Sequence, residues 1–243
     1  MEKSKIITWD VKDRIGLLTI DNPPQNYLAE PDFMELGRLR EWTGDAALRG
    51  IIISGNGRHF SAGANLETLR LMARDERHLL TKLHQGRELL DWLENVEIPV
   101  LASISGACFG GGLEIALACH IRVCGKNALF AFPEINHCLM PGLGGTVRLP
   151  GRIGFSSAVE MILSGDIVNA DRALEIGLVD HVVASREAFN FSYSLMKKMV
   201  DGRSSDVITS VVRAVNNSRT MSRREAMEEE TKMFCRLAKN IHE

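Results

Sequence analysis

Two short apolar runs constrain this chain more than anything else in it: Gly50-Ile51-Ile52-Ile53-Ser54-Gly55 and Val100-Leu101-Ala102-Ser103-Ile104. A half-exposed strand alternates apolar and polar side chains. A run that does not alternate, is only five or six residues long and is rich in β-branched side chains is expected to be a strand covered on both faces. Between the two runs, residues 67–94 place Leu79, Leu80, Leu83, Leu89, Leu90 and Trp92 on a helical face. Strand, helix, strand in that order predicts an α/β fold with a parallel sheet and right-handed crossovers.

The remaining segments extend this pattern. Residues 6–10 and 15–20 read as two strands around the turn-prone Lys12-Asp13-Arg14, ending at Asn22-Pro23-Pro24. A helix is expected from Glu30 or Pro31 to about Trp42, because Phe33, Leu36 and Leu39 recur at helical spacing behind a proline suited to a first turn. Residues 112–119 are helix-compatible and 120–124 strand-compatible, and a glycine-rich stretch from Leu143 leads into a further helix over 158–163. Residues 187–237 lack strand runs and carry Phe191, Leu195 and Met199, then Met227, Met233, Phe234 and Leu237, at helical spacing. The expected division is a core over 1–185 and a helical C-terminal region over 186–243.

A chain of 243 residues that is 45% hydrophobic is long enough for one sizeable core. Its 29 Lys and Arg against 31 Asp and Glu give no broad field to attract nucleic acid or an acidic membrane. The apolar runs fall far short of the roughly 20 residues that span a bilayer. The five cysteines are an odd number in a chain without signal-peptide features, which predicts a reducing, cytoplasmic setting.

Two glycine loops follow the two buried strands: Phe60-Ser61-Ala62-Gly63-Ala64-Asn65-Leu66 and Gly106-Ala107-Cys108-Phe109-Gly110-Gly111-Gly112-Leu113-Glu114. Small residues let a ligand approach the backbone, and a helix N-terminus carries unpaired N–H donors and partial positive charge. Taken singly, each loop reads as a tight strand-to-helix turn; as a pair at neighbouring strand ends they would supply two donors to one oxyanion. Glu114 lies in an otherwise apolar helix, and Glu134 lies in Phe130-Ala131-Phe132-Pro133-Glu134-Ile135. Apolar surroundings raise a carboxyl pKa toward neutrality, where it exchanges protons readily. From these residues alone, it is as readable that at least one of the two glutamates is a structural ion-pair or capping residue.

Taken together these segments resemble the crotonase superfamily, the enoyl-CoA hydratase/isomerase family, from about Ile6 to about Val183 and more loosely beyond. The motifs that carry the likeness are Phe60-Ser-Ala-Gly-Ala-Asn-Leu66, Gly106-Ala-Cys-Phe-Gly-Gly-Gly-Leu-Glu-Ile115, Phe132-Pro-Glu-Ile135, Pro141-Gly-Leu-Gly-Gly-Thr-Val-Arg-Leu149, Ser164-Gly-Asp166 and Ala173-Leu-Glu-Ile-Gly-Leu-Val179. The resemblance implies a crotonase-like spiral of ββα units with a helical C-terminal region, over 186–243 and shorter than usual, that serves oligomerisation into a trimer or a dimer of trimers. It implies an acyl-CoA thioester as substrate, with coenzyme A part of that substrate, no separate cofactor and no metal. By position, the oxyanion-hole amides fall on Ala64 and Gly111 and the acid–base carboxylates on Glu114 and Glu134. Substrate contacts are expected at Ala62, Ala64, Gly110, Gly111, Pro133 and Gly142. The activity implied is enoyl-CoA hydration, or in reverse 3-hydroxyacyl-CoA dehydration. The alternatives are double-bond isomerisation, the same chemistry on a carrier-protein thioester, and a non-catalytic binding oligomer.

Asn65 and His120 stand where the family usually has Asp, and both are expected to be structural. Cys138 stands where the family most often has glycine, with a narrowed or reshaped acyl pocket as the expected result. The sequence ends about where a further terminal helix is common, which leaves the adenine end of the site open. The Cys119-His120, Cys124 and His137-Cys138 spacing matches no common zinc pattern. Pro141-Gly-Leu-Gly-Gly-Thr146 lacks the lysine of a phosphate loop and is expected to begin a helix on the acyl-site wall. His59 and Trp92 are expected to be packing residues.

Overall fold

The computed structural model describes residues 2–239 and 241. Strands β1 (Glu2–Ser4), β2 (Ile7–Lys12) and β3 (Ile15–Ile20) run antiparallel, with Asp13 and Arg14 both in the left-handed region at the β2–β3 turn. Helix α1 (Leu36–Thr43) leads to β4 (Gly50–Gly55), which pairs parallel with β3. Helices α2 (Leu66–Met72) and α3 (Glu76–Asn95) carry the crossover to β5 (Val100–Ile104). A short β6 (Ala107–Phe109) precedes α4 (Gly111–Ala118), β7 (Ile121–Gly125) and β8 (Leu129–Ala131). A 3-10 turn over Pro133–His137 is followed by α5 (Gly145–Arg148), α6 (Pro150–Ile153) and α7 (Phe155–Ser164). Then come β9 (Val168–Asn169), α8 (Ala170–Glu175), β10 (His181–Val183), α9 (Ala188–Val200), α10 (Ser205–Thr220) and α11 (Arg223–Ala238).

These strands form a seven-stranded sheet of order β1-β2-β3-β4-β5-β7-β10, parallel from β3 onward, and a three-stranded sheet of order β6-β8-β9. The two non-alternating runs are β4 and β5, next to each other, and Ile51, Ile52, Ile53, Val100 and Leu101 are fully buried. One face packs on α3 and α4; the other is covered by α9, whose Met196 and Val200 meet Ile15, Ile52 and Leu101. Burial on both faces is why neither run needs a polar side. Arg122 of β7 is buried in this core, where its guanidinium pairs with Asp180 at 2.8 Å and donates to the carbonyls of Leu178 and Cys119. A charge so placed needs those partners.

Two expectations change. The helix predicted from residue 30 begins only at Leu36. Leu28 is bridged to the first glycine loop, its N–H donating to Gly63 C=O and its C=O accepting from Asn65 N–H, and residues 29–34 follow as bends and turns with Lys5 Nζ on Asp32 C=O, so tertiary contacts override the helical spacing. The amphipathic stretch 67–94 is two helices, because the Asp75 side chain accepts from His78 N–H and caps a new start there.

Candidate active site

Backbone pairing brings the two glycine loops together. Phe60 N–H donates to Ser105 C=O, Ser61 N–H to Ala107 C=O and Phe109 N–H to Ser61 C=O, so the first loop runs beside β6 almost as an added strand. His59 contributes here and is more than a packing residue, since its Nδ1 accepts from Ala107 N–H at 3.0 Å. The Ser61 hydroxyl donates to Asn26 C=O and accepts from Gly63 N–H. Gly63 has φ +86°, and a Cβ there would lie 2.7 Å from Phe109 O and 3.4 Å from Gly111 N, so the loops touch at this point. That contact places Ala64 beside Gly111.

The amides of both residues lack a protein acceptor among the described residues. The bridge between Leu28 and Ala64 uses the Gly63 carbonyl and the Asn65 N–H, leaving Ala64 N–H outside it. Gly111 is the first residue of α4, and its N–H belongs to the orphan donors of a helix start. Both residues line one cavity of about 190 Å³.

Two carboxylates reach the same cavity. Glu114, 2% exposed, projects from the first turn of α4, and its Oε1 accepts from the N–H groups of Leu143 and Gly145, both at 2.7 Å. Burial raises its pKa, opposed by these two amides and by the Arg148 guanidinium. Glu134 sits on the 3-10 turn, with Oε2 buried and without a hydrogen-bond partner. Burial pushes its carboxyl up to about 7, and the nearby Glu114 charge adds to the rise. Gly110, at φ +50°, has to be glycine: a Cβ would run into Glu134 Oε1.

The rest of the cavity wall is mostly apolar, with Leu28, Leu69, Met72, Leu79, Leu83, Met140 and Leu143, and Glu30 and Asn65 also line it. Gly142 lines it as well, and α5 starts just beyond, matching the helix start expected on this wall. An outer cleft of about 360 Å³ shares Ala64, Glu134 and Leu139 with the cavity and is lined by Ala62, Gly110, Pro133 and His137. The eight residues singled out from the sequence therefore divide between two adjoining spaces. A larger cleft of about 960 Å³, between α4, α5, α6 and α10, contains neither glutamate.

Asn65 caps α2 by accepting from Thr68 N–H, and His120 accepts from Val100 N–H, so both carry the structural role expected of them. Cys138 is exposed, outside the lining of either space, in the left-handed conformation (φ 56°) that closes the 3-10 turn. It does not narrow the pocket; the site calls for glycine because of its φ. The amides of Leu143 and Gly145 and the side chain of Arg148 were missed from the sequence, although the Pro141-Gly-Leu-Gly-Gly run marked the place.

Glu134 carries a testable stability signature. Its folded carboxyl binds a proton more tightly than the unfolded one, so stability falls as pH rises between about 4.5 and about 7, and the loss is complete above that window. Glu134→Gln removes the ionisation. It is expected to gain on the order of 2 kcal/mol over the parent at pH 8 and little at pH 4. Urea unfolding at the two pH values measures this.

The family model described as enoyl-CoA hydratase/isomerase matches residues 10–242. The chain belongs to that family. A relative from Bacillus subtilis (strain 168), described as a probable enoyl-CoA hydratase, is 41% identical over 175 residues, covering 71% of this chain and 67% of that protein. The fatty acid oxidation complex subunit alpha of Shewanella frigidimarina (strain NCIMB 400) is 40% identical over 194 residues, covering 76% of this chain but only 27% of that longer protein. The crystal structure of an enoyl-CoA hydratase from Thermoplasma volcanium GSS1 superposes with TM-score 0.86 at 26% identity, covering 98% of this chain and 94% of that one. The architecture is thus the crotonase fold of the enoyl-CoA hydratase/isomerase family, with its helical C-terminal region. No helix among the described residues of this family member is long and apolar enough to cross a membrane.

Proposed function

We propose that this member of the enoyl-CoA hydratase/isomerase family adds water across the double bond of a 2-enoyl-CoA, and in reverse dehydrates a 3-hydroxyacyl-CoA. The observation that carries the reading is the convergence of two unpaired amides, on Ala64 and Gly111, and two carboxylates, on Glu114 and Glu134, on one apolar cavity. The thioester oxygen accepts from both amides, which polarises the conjugated system and leaves C3 electrophilic. Water attacks C3, Glu114 takes its proton, negative charge gathers on the thioester oxygen, and Glu134 delivers a proton to C2.

The two environments fit this division of labour. Burial raises the pKa of Glu114, but two amide donors oppose that rise and favour the ionised form a base requires, whereas Glu134, whose Oε2 has no partner, holds its proton up to about neutrality, as a donor requires. Gly142 lines the acyl end, and Ala62, Gly110 and Pro133 lie along the outer cleft where the pantetheine arm would leave. Coenzyme A enters as part of the substrate, and no separate cofactor or metal takes part. The reading also takes the working enzyme as a cytoplasmic homotrimer or dimer of trimers, assembled through residues 186–243. Exposed apolar Val215, Met227 and Phe234 on α10 and α11 support this assembly.

The test is to mix the protein with a short 2-enoyl-CoA and follow the conjugated thioester absorbance, then repeat with Glu114→Gln, Glu134→Gln and a carrier-protein thioester. The expected result is loss of absorbance for the parent on CoA and suppression by either substitution. A product with a moved double bond and no added water, surviving Glu114→Gln, would make the protein an isomerase, and binding without turnover would contradict catalysis.

A further inference from the structure

Glu114 is held by a turn, and the turn is held from behind. Gly145 N–H and Leu143 N–H, which fix Glu114 Oε1, flank Gly144, a residue at φ +101°. Arg148 of α5 closes over this turn: its Nη1 donates to Leu143 C=O at 2.9 Å, and its own backbone N–H donates to Gly144 C=O at 2.9 Å. The peptide planes on both sides of Gly144 are therefore pinned by one residue. The Arg148 side chain is only 8% exposed, with Nε on Glu94 Oε2 at 2.7 Å and Nη2 on Asp91, both from α3. Glu94 is anchored in turn from α10, where Arg219 donates to its Oε1 at 2.6 Å and to its backbone carbonyl at 3.0 Å.

We propose that Arg148, oriented by Glu94, is a positioning residue for Glu114: its guanidinium, on Leu143 C=O, holds the Leu143–Gly144 peptide that links the two amides, and so steadies the turn whose Leu143 and Gly145 N–H groups aim the carboxylate at the attacking water. The consequence for hydration rests on the hydratase reading given above; the consequence for Glu114 itself does not. A guanidinium satisfies three acceptors at fixed angles and lysine cannot, so the effect belongs to the fork geometry as well as to the charge. The charged groups around Glu114 are Glu134 across the cavity, Glu30 on the same cavity lining and paired there with Lys5 and Lys82, and Arg148 behind the turn. Those facing Arg148 are Asp91 and Glu94, with Arg219 beyond Glu94.

Arg148→Met and Arg148→Lys test the assignment by separating two reactions at one site. Hydration needs Glu114 to activate water. Exchange of the α-protons of a saturated acyl-CoA into deuterium oxide needs only the amides and Glu134. Arg148→Met is expected to lower the hydration kcat by about 10- to 100-fold, the cost of a misaimed catalytic group, with KM and α-exchange within about threefold. Arg148→Lys should recover part of the loss. Parallel loss of hydration and exchange, or loss of neither, overturns the proposal. A parent protein that hydrates no enoyl-CoA sinks the hydratase reading alone, and a second measurement then decides about Arg148. The carbon-13 carboxyl titration of Glu114, assigned by its disappearance in Glu114→Gln, should move to higher pH in Arg148→Met and stay partly raised in Arg148→Lys, which keeps the charge without the fork. An unmoved midpoint overturns the assignment.

Discussion

Glu114→Gln is expected to lower the hydration kcat by about 10²- to 10⁴-fold while leaving acyl-CoA binding nearly unchanged, because general base catalysis contributes in that range and the group does not hold the substrate. The amide of glutamine is nearly isosteric with the carboxylate. Its oxygen can still accept from Leu143 and Gly145 N–H, so the turn and the cavity wall should persist. What disappears is a proton acceptor. Exchange of α-protons in a saturated acyl-CoA, which depends on Glu134, should survive Glu114→Gln and vanish in Glu134→Gln. Steady-state hydration and deuterium incorporation, measured on the same preparations, check both halves. Equal loss of both reactions in Glu114→Gln would mean that the two carboxylates do not have separate roles.

The second large effect is expected from removing a backbone donor. Gly111→Pro deletes the N–H at the first position of α4, where proline is well tolerated because no intrahelical bond is lost. The added Cβ meets chiefly Leu28 Cδ1, at 2.9 Å, the end of a side chain that can turn aside, and the ring Cδ takes the place of the N–H hydrogen. The preceding residue, Gly110, has φ 50° and ψ −123°, an extended conformation of mirrored sign open to glycine before proline. The helix should therefore form while one oxyanion donor is missing, lowering the hydration kcat by about 10²- to 10³-fold. Circular dichroism and thermal unfolding would confirm the fold, and Gly112→Pro provides a control. There the ring meets the Ser61 backbone, with the Cβ 2.7 Å from Ser61 O, so that variant should lose stability. A Gly111→Pro protein that is folded and fully active would show that the Gly111 amide plays no part in the reaction.

The sequence revealed the sheet because β4 and β5 are buried on both faces, and a strand so placed has no polar residues to confuse its pattern. The two glycine loops were visible for a related reason: close approach of one backbone to another restricts side-chain size at Gly63 and Gly112. The start of α1 was not visible. Leu28 pairs with a loop 36 positions away (64 − 28 = 36), and no local periodicity reports such a partner. The break at Asp75 had a capping side chain to announce it, but a continuous apolar stripe on either side concealed it.

In the site, the glutamates stood out because each is a lone charge among apolar neighbours. Their separate environments did not. Glu114 owes its orientation to the amides of residues 143 and 145, and a backbone N–H is the same whatever side chain the residue carries. Arg148 looked like one arginine among many, and only the turn it closes distinguishes it from a solvated one. Cys138 illustrates the opposite error. A departure from an expected glycine suggested a changed pocket, whereas the position is set by its backbone angle and points outward.

The crystal structure of the protein with a saturated acyl-CoA bound is the most direct test of the whole account. The thioester oxygen should lie about 2.7–3.1 Å from both the Ala64 and Gly111 nitrogens, with the Glu114 and Glu134 carboxylates flanking C2 and C3. A thioester oxygen bound by neither amide, or an acyl chain lodged in the large cleft beside α10, would contradict it.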